Sequence, residues 1–151
     1  MILDKLFNKR VICRRDGNPY LTRYYLFRKP VSWMPSIYLH CFHEGDMDLE
    51  LHDHPWDYSF SVILKGKYKE EYRDKEDQVK ERILSPGKIN FVTGSKFHRV
   101  DLISDKVWTI FVSGRKIKDW GFWDRHTHDY VNWREHEAKQ FKDDFQPTCS
   151  N

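Results

Sequence analysis

Residues Leu51 to Gly66 read LHDHPWDYSFSVILKG. The stretch sets His52 and His54 one residue apart and runs on through an apolar segment, Tyr58 to Leu64, toward a glycine. In extended backbone alternate side chains share a face, so both imidazoles can reach one ion. Neutral imidazole ligates zinc, copper, iron and nickel, and a third ligand has to come from elsewhere in the chain. His98 is the candidate. In SPGKINFVTGSKFHRVDL, residues 85–102, it follows a Pro-Gly turn, a short apolar strand and a second glycine-bearing turn.

The flanking sequence predicts more strands. Arg10 to Arg15 (RVICRR) and Leu21 to Phe27 (LTRYYLF) are rich in β-branched and aromatic residues around the turn signal Asp16-Gly17-Asn18-Pro19, which predicts an N-terminal hairpin over 10–27. After Lys29-Pro30, Ile37 to His43 reads as a strand ended by Glu44-Gly45-Asp46. Tyr68 to Arg73 answers Val79 to Leu84 across the polar tip Asp74 to Asp77. Ile89 to Val92, Phe97 to Ile103 and Val107 to Ser113 complete eight or nine strands, with turns about every ten residues, the spacing of an all-β sandwich or barrel. Past Gly114 the aromatic-rich DWGFWDRHTHDYVNW reads as irregular, and Trp133 to Phe145 spaces Trp133, Ala138, Phe141 and Phe145 as in an amphipathic helix on the outside of the barrel. One domain is expected over 1–151, with a core at about 37–113 and the aromatic stretch and helix at 115–145.

Composition narrows the functional classes. At 151 residues, 16% aromatic, with seven glycines and six prolines, the chain has the makings of a folded core and not of a disordered segment. Twenty-six basic residues answer 23 acidic ones along the whole chain, so the net charge of +3 does not point to nucleic acid. The alternation of basic and aromatic residues in RRDGNPYLTRYYLFRK has the texture of a single-strand nucleic-acid surface, but strand alternation explains it equally well. Cys13, Cys41 and Cys149 are widely spaced, which predicts neither a disulfide framework nor a zinc knuckle and suggests a reducing compartment. No apolar run is long enough for a signal peptide or a membrane span, so a cytoplasmic protein is expected.

His52-Asp53-His54 with Gly66 after the strand, then Pro86-Gly87 and Gly94 before His98, resembles the two hallmark motifs of the cupin superfamily. The resemblance covers about Leu39 to Ser113. The wording LHDHPWD, PG, FHRV and GRKxxxWGFW looks like that of small single-domain cupins of phage and bacterial genomes, which would place the protein in a host cytoplasm if phage-encoded. It implies a double-stranded β-helix (jelly-roll) barrel, here with an N-terminal hairpin and a short C-terminal helix, holding one metal ion, usually iron, manganese, zinc or nickel. Cupins commonly carry a Glu four or five residues after the second motif histidine, where this chain has Tyr58 and Ser59. Asp57 stands in if Pro55 introduces a bulge. Otherwise the site is a three-histidine one, as in cysteine dioxygenase-like cupins.

Strand alternation puts His98 on one face with Val100 and Leu102, pointing to an apolar interior, and Arg99 and Asp101 on the other. The face opposite His52 and His54 carries Leu49 and Leu51, which need a cover, and the C-terminal helix is the expected one. His126 and His128 repeat the spacing in a loop-like stretch and suit the surface. His40 and His43 lie on opposite faces of their strand, so at most one points inward. Arg23, Arg99 and Arg115 are candidates to clamp a carboxylate or phosphate, although each is individually better read as solvated charge. Trp56, Tyr58, Phe60 and Phe91 can line a pocket or simply fill a small barrel, and Trp120, Phe122 and Trp123 can close one end.

The leading expectation is an iron-dependent dioxygenase acting on a small polar molecule. His52, His54 and His98 would hold the ion (Fe2+ foremost, with Zn2+, Mn2+ and Ni2+ as alternatives), Tyr58 and Asp57 would serve the chemistry, and Trp56, Arg99 and Arg115 would touch substrate. A sugar-nucleotide isomerase or epimerase, with a histidine as base and Tyr58 returning the proton, is the second. A non-catalytic module binding a small ligand is the third. Exposed sheet edges and many aromatics make a homodimer reasonable.

Overall fold

The computed structural model describes residues 2–27 and 34–140. A short helix, α1 (Ile2–Leu6), leads into twelve strands: β1 (Lys9–Cys13), β2 (Pro19–Tyr25), β3 (Ser36–Phe42), β4 (Leu51–His52), β5 (Tyr58–Lys65), β6 (Tyr68–Arg73), β7 (Val79–Leu84), β8 (Ile89–Thr93), β9 (His98–Leu102), β10 (Val107–Ser113), β11 (Gly121–Trp123) and β12 (Tyr130–Asn132). Helix α2 (Trp133–Gln140) follows. The strands form two six-stranded sheets, ordered β1-β2-β3-β10-β5-β8 and β12-β11-β4-β9-β6-β7. Neighbours pair antiparallel throughout, the arrangement of a jelly-roll barrel. The expected N-terminal hairpin is β1–β2, which extends the first sheet beyond β3.

Period-two alternation decides what faces inward. On β5, Ser59 and Ile63 are buried while Leu64 is exposed, and the register Ser113↔Ser59, Phe111↔Ser61 and Thr109↔Ile63 sets the inner residues of β10 beside them. On β6, Tyr68, Glu70 and Tyr72 face inward opposite Leu102, Val100 and His98 of β9. Ile63, Tyr68, Leu84, Val100 and Val107 pack into a core at one end, with Phe42 and Leu102 against it. Burying each such aliphatic side chain stabilises the fold by about 1.5–3 kcal/mol. That end is filled, and the polar inward residues gather at the other. Gly66 makes the β5–β6 turn with φ +83°, and a Cβ there would run into the Lys106 carbonyl oxygen.

Several expectations need correction. The aromatic stretch after Gly114 is not irregular: β11 and β12 form a hairpin there, and β11 pairs with β4. It lacks alternation because both of its faces are covered, Phe122 lying on the His52 side and Trp123 packing with Leu51 and Phe97 on the other. Leu51, fully buried, is thus covered by Trp123 and Phe97, with the Arg73 guanidinium over both rings, while Leu49 is exposed. Helix α2 lies instead on the histidine side, where His136 stacks on Phe122 (3.9 Å between centroids) and Trp133 on Trp120 (5.9 Å). Ala138 is exposed, so the helix packs through Trp133 and His136; Phe141 and Phe145 lie outside the described residues, as do Lys29, Pro30 and Cys149. Cys41 is a buried free thiol. Among the described residues no helix is long and apolar enough to cross a membrane.

Candidate metal centre

β4 is only two residues long, and the chain leaves the ladder at Asp53, so strand alternation alone does not aim His52 and His54 together. Asp53 does that. It is almost fully buried, accepts the Gly121 amide (2.8 Å) and the Lys118 ammonium, and so turns away from its two neighbours and ties the segment to β11. Pro55 extends the brace, its carbonyl accepting the Ile117 amide at 2.8 Å. His52 and His98 are direct partners across β4 and β9. The result is a triad: His52, His54 and His98 each bring a ring nitrogen to a cluster in which all lie within 4.8 Å of one another, a group that can hold a metal ion. Ring centroids are 5.0–5.1 Å apart, and the Nε2 atoms of His54 and His98 are 2.8 Å apart.

The chemistry of the donors fits an ion. Glu70 Oε1 lies 2.6 Å from His98 Nδ1, and a carboxylate can only accept, so Nδ1 donates to it and Nε2 is the nitrogen turned toward the triad. Burial pushes the His52 imidazolium down and the His54 imidazolium well down, and neighbouring imidazoles add to the effect, so both rings are neutral donors. Glu70 is fully buried, and burial by itself would raise its carboxyl. The bonds and charges of His98 and Lys96 outweigh that and hold it far below the usual carboxylate range. Arg82 Nε (2.6 Å), Asn90 Nδ2 (2.9 Å) and Lys96 Nζ (3.0 Å) complete its donors. Behind His52, Asp46 sits 3.9 Å from Nδ1 and is fixed by the Tyr20 hydroxyl and the Val100 amide, each at 2.6 Å.

His98 points inward as expected, but it meets a buried charge network there and not an apolar wall. Trp56 stacks on His54 with centroids 5.5 Å apart and meets Phe111 edge-on, so it lines the triad. Asp57 is not brought to the cluster: its Oδ1 accepts the Tyr58 amide and its Oδ2 faces Arg115 at 3.8 Å. Tyr58 alternates with buried Ser59 and sits opposite exposed Thr93, on the outer face with Phe60 and Phe91. Arg99 likewise alternates with His98 and pairs with Glu71, and Arg115 is exposed. His126 and His128 are exposed; His43 bonds Thr22 (2.8 Å), whereas His40 is buried on the inner face. Asp48, Glu50 and His136 form a second group within ligating distance, but the Arg15 guanidinium already bonds Asp48 at 2.6 Å.

The sequence reading passes over Glu70, Asp46, Asp53 and Lys118. Glu70 had a signal: Tyr68, Glu70 and Tyr72 share a face, and a lone carboxylate between two inward tyrosines has to find buried partners.

No family model and no curated protein matches the sequence. Solved structures do. The iron(II) form of HppE aligns with TM-score 0.57 and 19% identity over 72% of this chain and 57% of that one. The fold is a cupin fold. Bacillus subtilis oxalate decarboxylase, in a study of its Mn(II) centres, aligns at 0.55 and 18% over 74% of this chain and 29% of the other. The Lactobacillus farciminis oxalate decarboxylase formate complex aligns at 0.57 and 14% over 90% and 36%. This cupin-fold chain therefore spans a little over half the length of HppE and about a third of the oxalate decarboxylases.

Proposed function

We propose that the protein is a mononuclear metalloenzyme in which His52, His54 and His98 hold one divalent ion, iron(II) foremost, and which oxidises a small polar molecule with dioxygen. The convergence of three imidazoles on one point, with Glu70 fixing the ring orientation of His98, carries this reading. When bound, the ion supplies the redox chemistry, and three protein ligands leave coordination positions open for substrate and dioxygen. The chain supplies the rest. Glu70 holds the ring of His98 in place, Asp46 sets a carboxylate 3.9 Å from His52, Trp56 and Phe111 form an apolar wall beside His54, and Trp120 and Phe122, backed by α2, stand over His52. The solved neighbours that carry iron(II) or manganese(II) lend support. The isomerase reading draws less, since its proton donor, Tyr58, lies on the outer face.

Metal content by plasma mass spectrometry, on protein purified without chelator or tag, tests the proposal. Near-stoichiometric iron in the wild type, lost in the His52→Ala/His98→Ala double variant, is the expected result, followed by oxygen consumption with a substrate panel. Equal metal content in the two proteins overturns it.

A further inference from the structure

On the inner face of the first sheet, His40 of β3 is the direct partner of both Arg23 of β2 and Thr109 of β10. Arg23 Nε donates to His40 Nε2 at 3.0 Å. Because Nε2 accepts, the ring proton sits on Nδ1, and His40 Nδ1 has no hydrogen-bond partner among the described residues although the residue is 3% exposed. The hydroxyl of Thr109, at 1% exposure, is also unpartnered. Two adjacent buried donors left unmade are costly, on the order of 1–3 kcal/mol each, and call for an occupant that accepts hydrogen bonds. The guanidinium of Arg23 lies 4.6 Å over the Tyr38 ring, and no carboxylate faces it among the described residues. A cation and two neutral donors with no acceptor between them suit an anion.

This corner is continuous with the triad. His54 stacks on Trp56, Trp56 meets Phe111 at 5.5 Å, and Phe111 stacks on His40 at 4.9 Å with the rings 17° from parallel. An unbroken wall of rings thus runs from the metal-ligating end to Arg23.

We propose that Arg23, His40 and Thr109 form a carboxylate-binding subsite on the inner face of the first sheet. The ligand is then an organic carboxylate whose anionic end lies on Arg23, His40 Nδ1–H and the Thr109 hydroxyl, and whose apolar or aromatic middle lies along Phe111 and Trp56 toward the triad. This deepens the proposed function by naming a substrate class, and it rests on that reading of the triad, to which the ring contacts connect it.

The test is calorimetric titration of the full-length protein with 3-phenylpropanoate and, separately, its uncharged amide, before and after chelator treatment. The expected result is a preference for the acid of about tenfold or more, the size of a charge-assisted bond, retained without metal. Arg23→Gln lowers acid binding to the level of the amide while metal content stays that of the wild type. Thr109→Val weakens acid binding about threefold to fivefold, consistent with one neutral hydrogen bond, with a thermal midpoint unchanged or raised because an unpartnered buried hydroxyl is gone. Should Arg23→Gln fail to fold, Thr109→Val decides. Equal binding of acid and amide, binding of neither, or a preference untouched by the substitutions overturns the subsite. An acid preference in a protein that carries no metal overturns the metalloenzyme reading and leaves the subsite standing.

Discussion

Glu70 Oε1 takes the Nδ1 hydrogen of His98 at 2.6 Å, and the same carboxylate is the meeting point of Arg82, Asn90 and Lys96. One buried charge therefore orients a candidate ligand and holds β6, β7, β8 and β9 together. Glu70→Gln should lower metal affinity about 10- to 100-fold, as loss of a partner behind a metal-binding imidazole does. It should also cost about 2–4 kcal/mol of stability, toward the lower part of the range for a broken buried pair because Arg82 is 39% exposed and relaxes into water. Metal titration and urea unfolding of the same preparations check the two effects.

Stability should fall at alkaline pH through Tyr68. Burial pushes its phenol up from 10 to about 12. A group whose folded pKa is raised keeps the folded state stable while protonated, so the contribution is complete below pH 10 and is lost between about pH 10 and 12. It amounts to about 2–3 kcal/mol at one pH unit per 1.36 kcal/mol. Urea midpoints from pH 9 to 12 should drop more steeply in the wild type than in Tyr68→Phe, which instead loses about 1 kcal/mol at every pH with the Asn90 bond.

Leu51 and Leu49 look alike in the sequence and should behave oppositely. Leu51→Ala opens a cavity against Phe97 and Trp123 and should cost about 2–5 kcal/mol. Leu49→Ala, at a side chain 68% exposed, should stay within about 0.5 kcal/mol. Paired thermal melts read the difference.

Two turn glycines with nearly the same φ separate strain from collision. A Cβ at Gly87 (φ +85°) meets nothing, so Gly87→Ala should cost about 1–2 kcal/mol for left-handed backbone alone. Gly66→Ala adds a clash with the Lys106 carbonyl and should cost at least about 1 kcal/mol more. Denaturant midpoints of the two variants give the gap directly.

The barrel was legible because its strands alternate and its turns carry glycine, proline and aspartate at the right places: the 16–19 and 74–77 turns fall between paired strands as expected. The histidine triad was legible for a partly accidental reason. Alternation suggested that His52 and His54 share a face, but they converge because Asp53 is anchored to Gly121 and Lys118, a contact 65 or more residues away that no local pattern reveals. Strand β11 hid for the opposite reason, since a segment buried on both faces has no period to read. Asp57 stands in for the missing carboxylate only if Pro55 re-aims the strand, and the structure instead turns Asp57 to the Tyr58 amide and Tyr58 to the outer face.

The second sheet is narrowest where it carries its candidate ligands. Strand β4 meets β9 at a single residue pair, His52 with His98, so the six strands are two trios sewn by one stitch. On the proposed function an ion gripped by both residues rivets that seam, and opening of the seam and occupancy of the site become one equilibrium. Metal would then register as slowed amide exchange along β4, β11 and β12, so that the protein's own breathing reports whether its centre is filled.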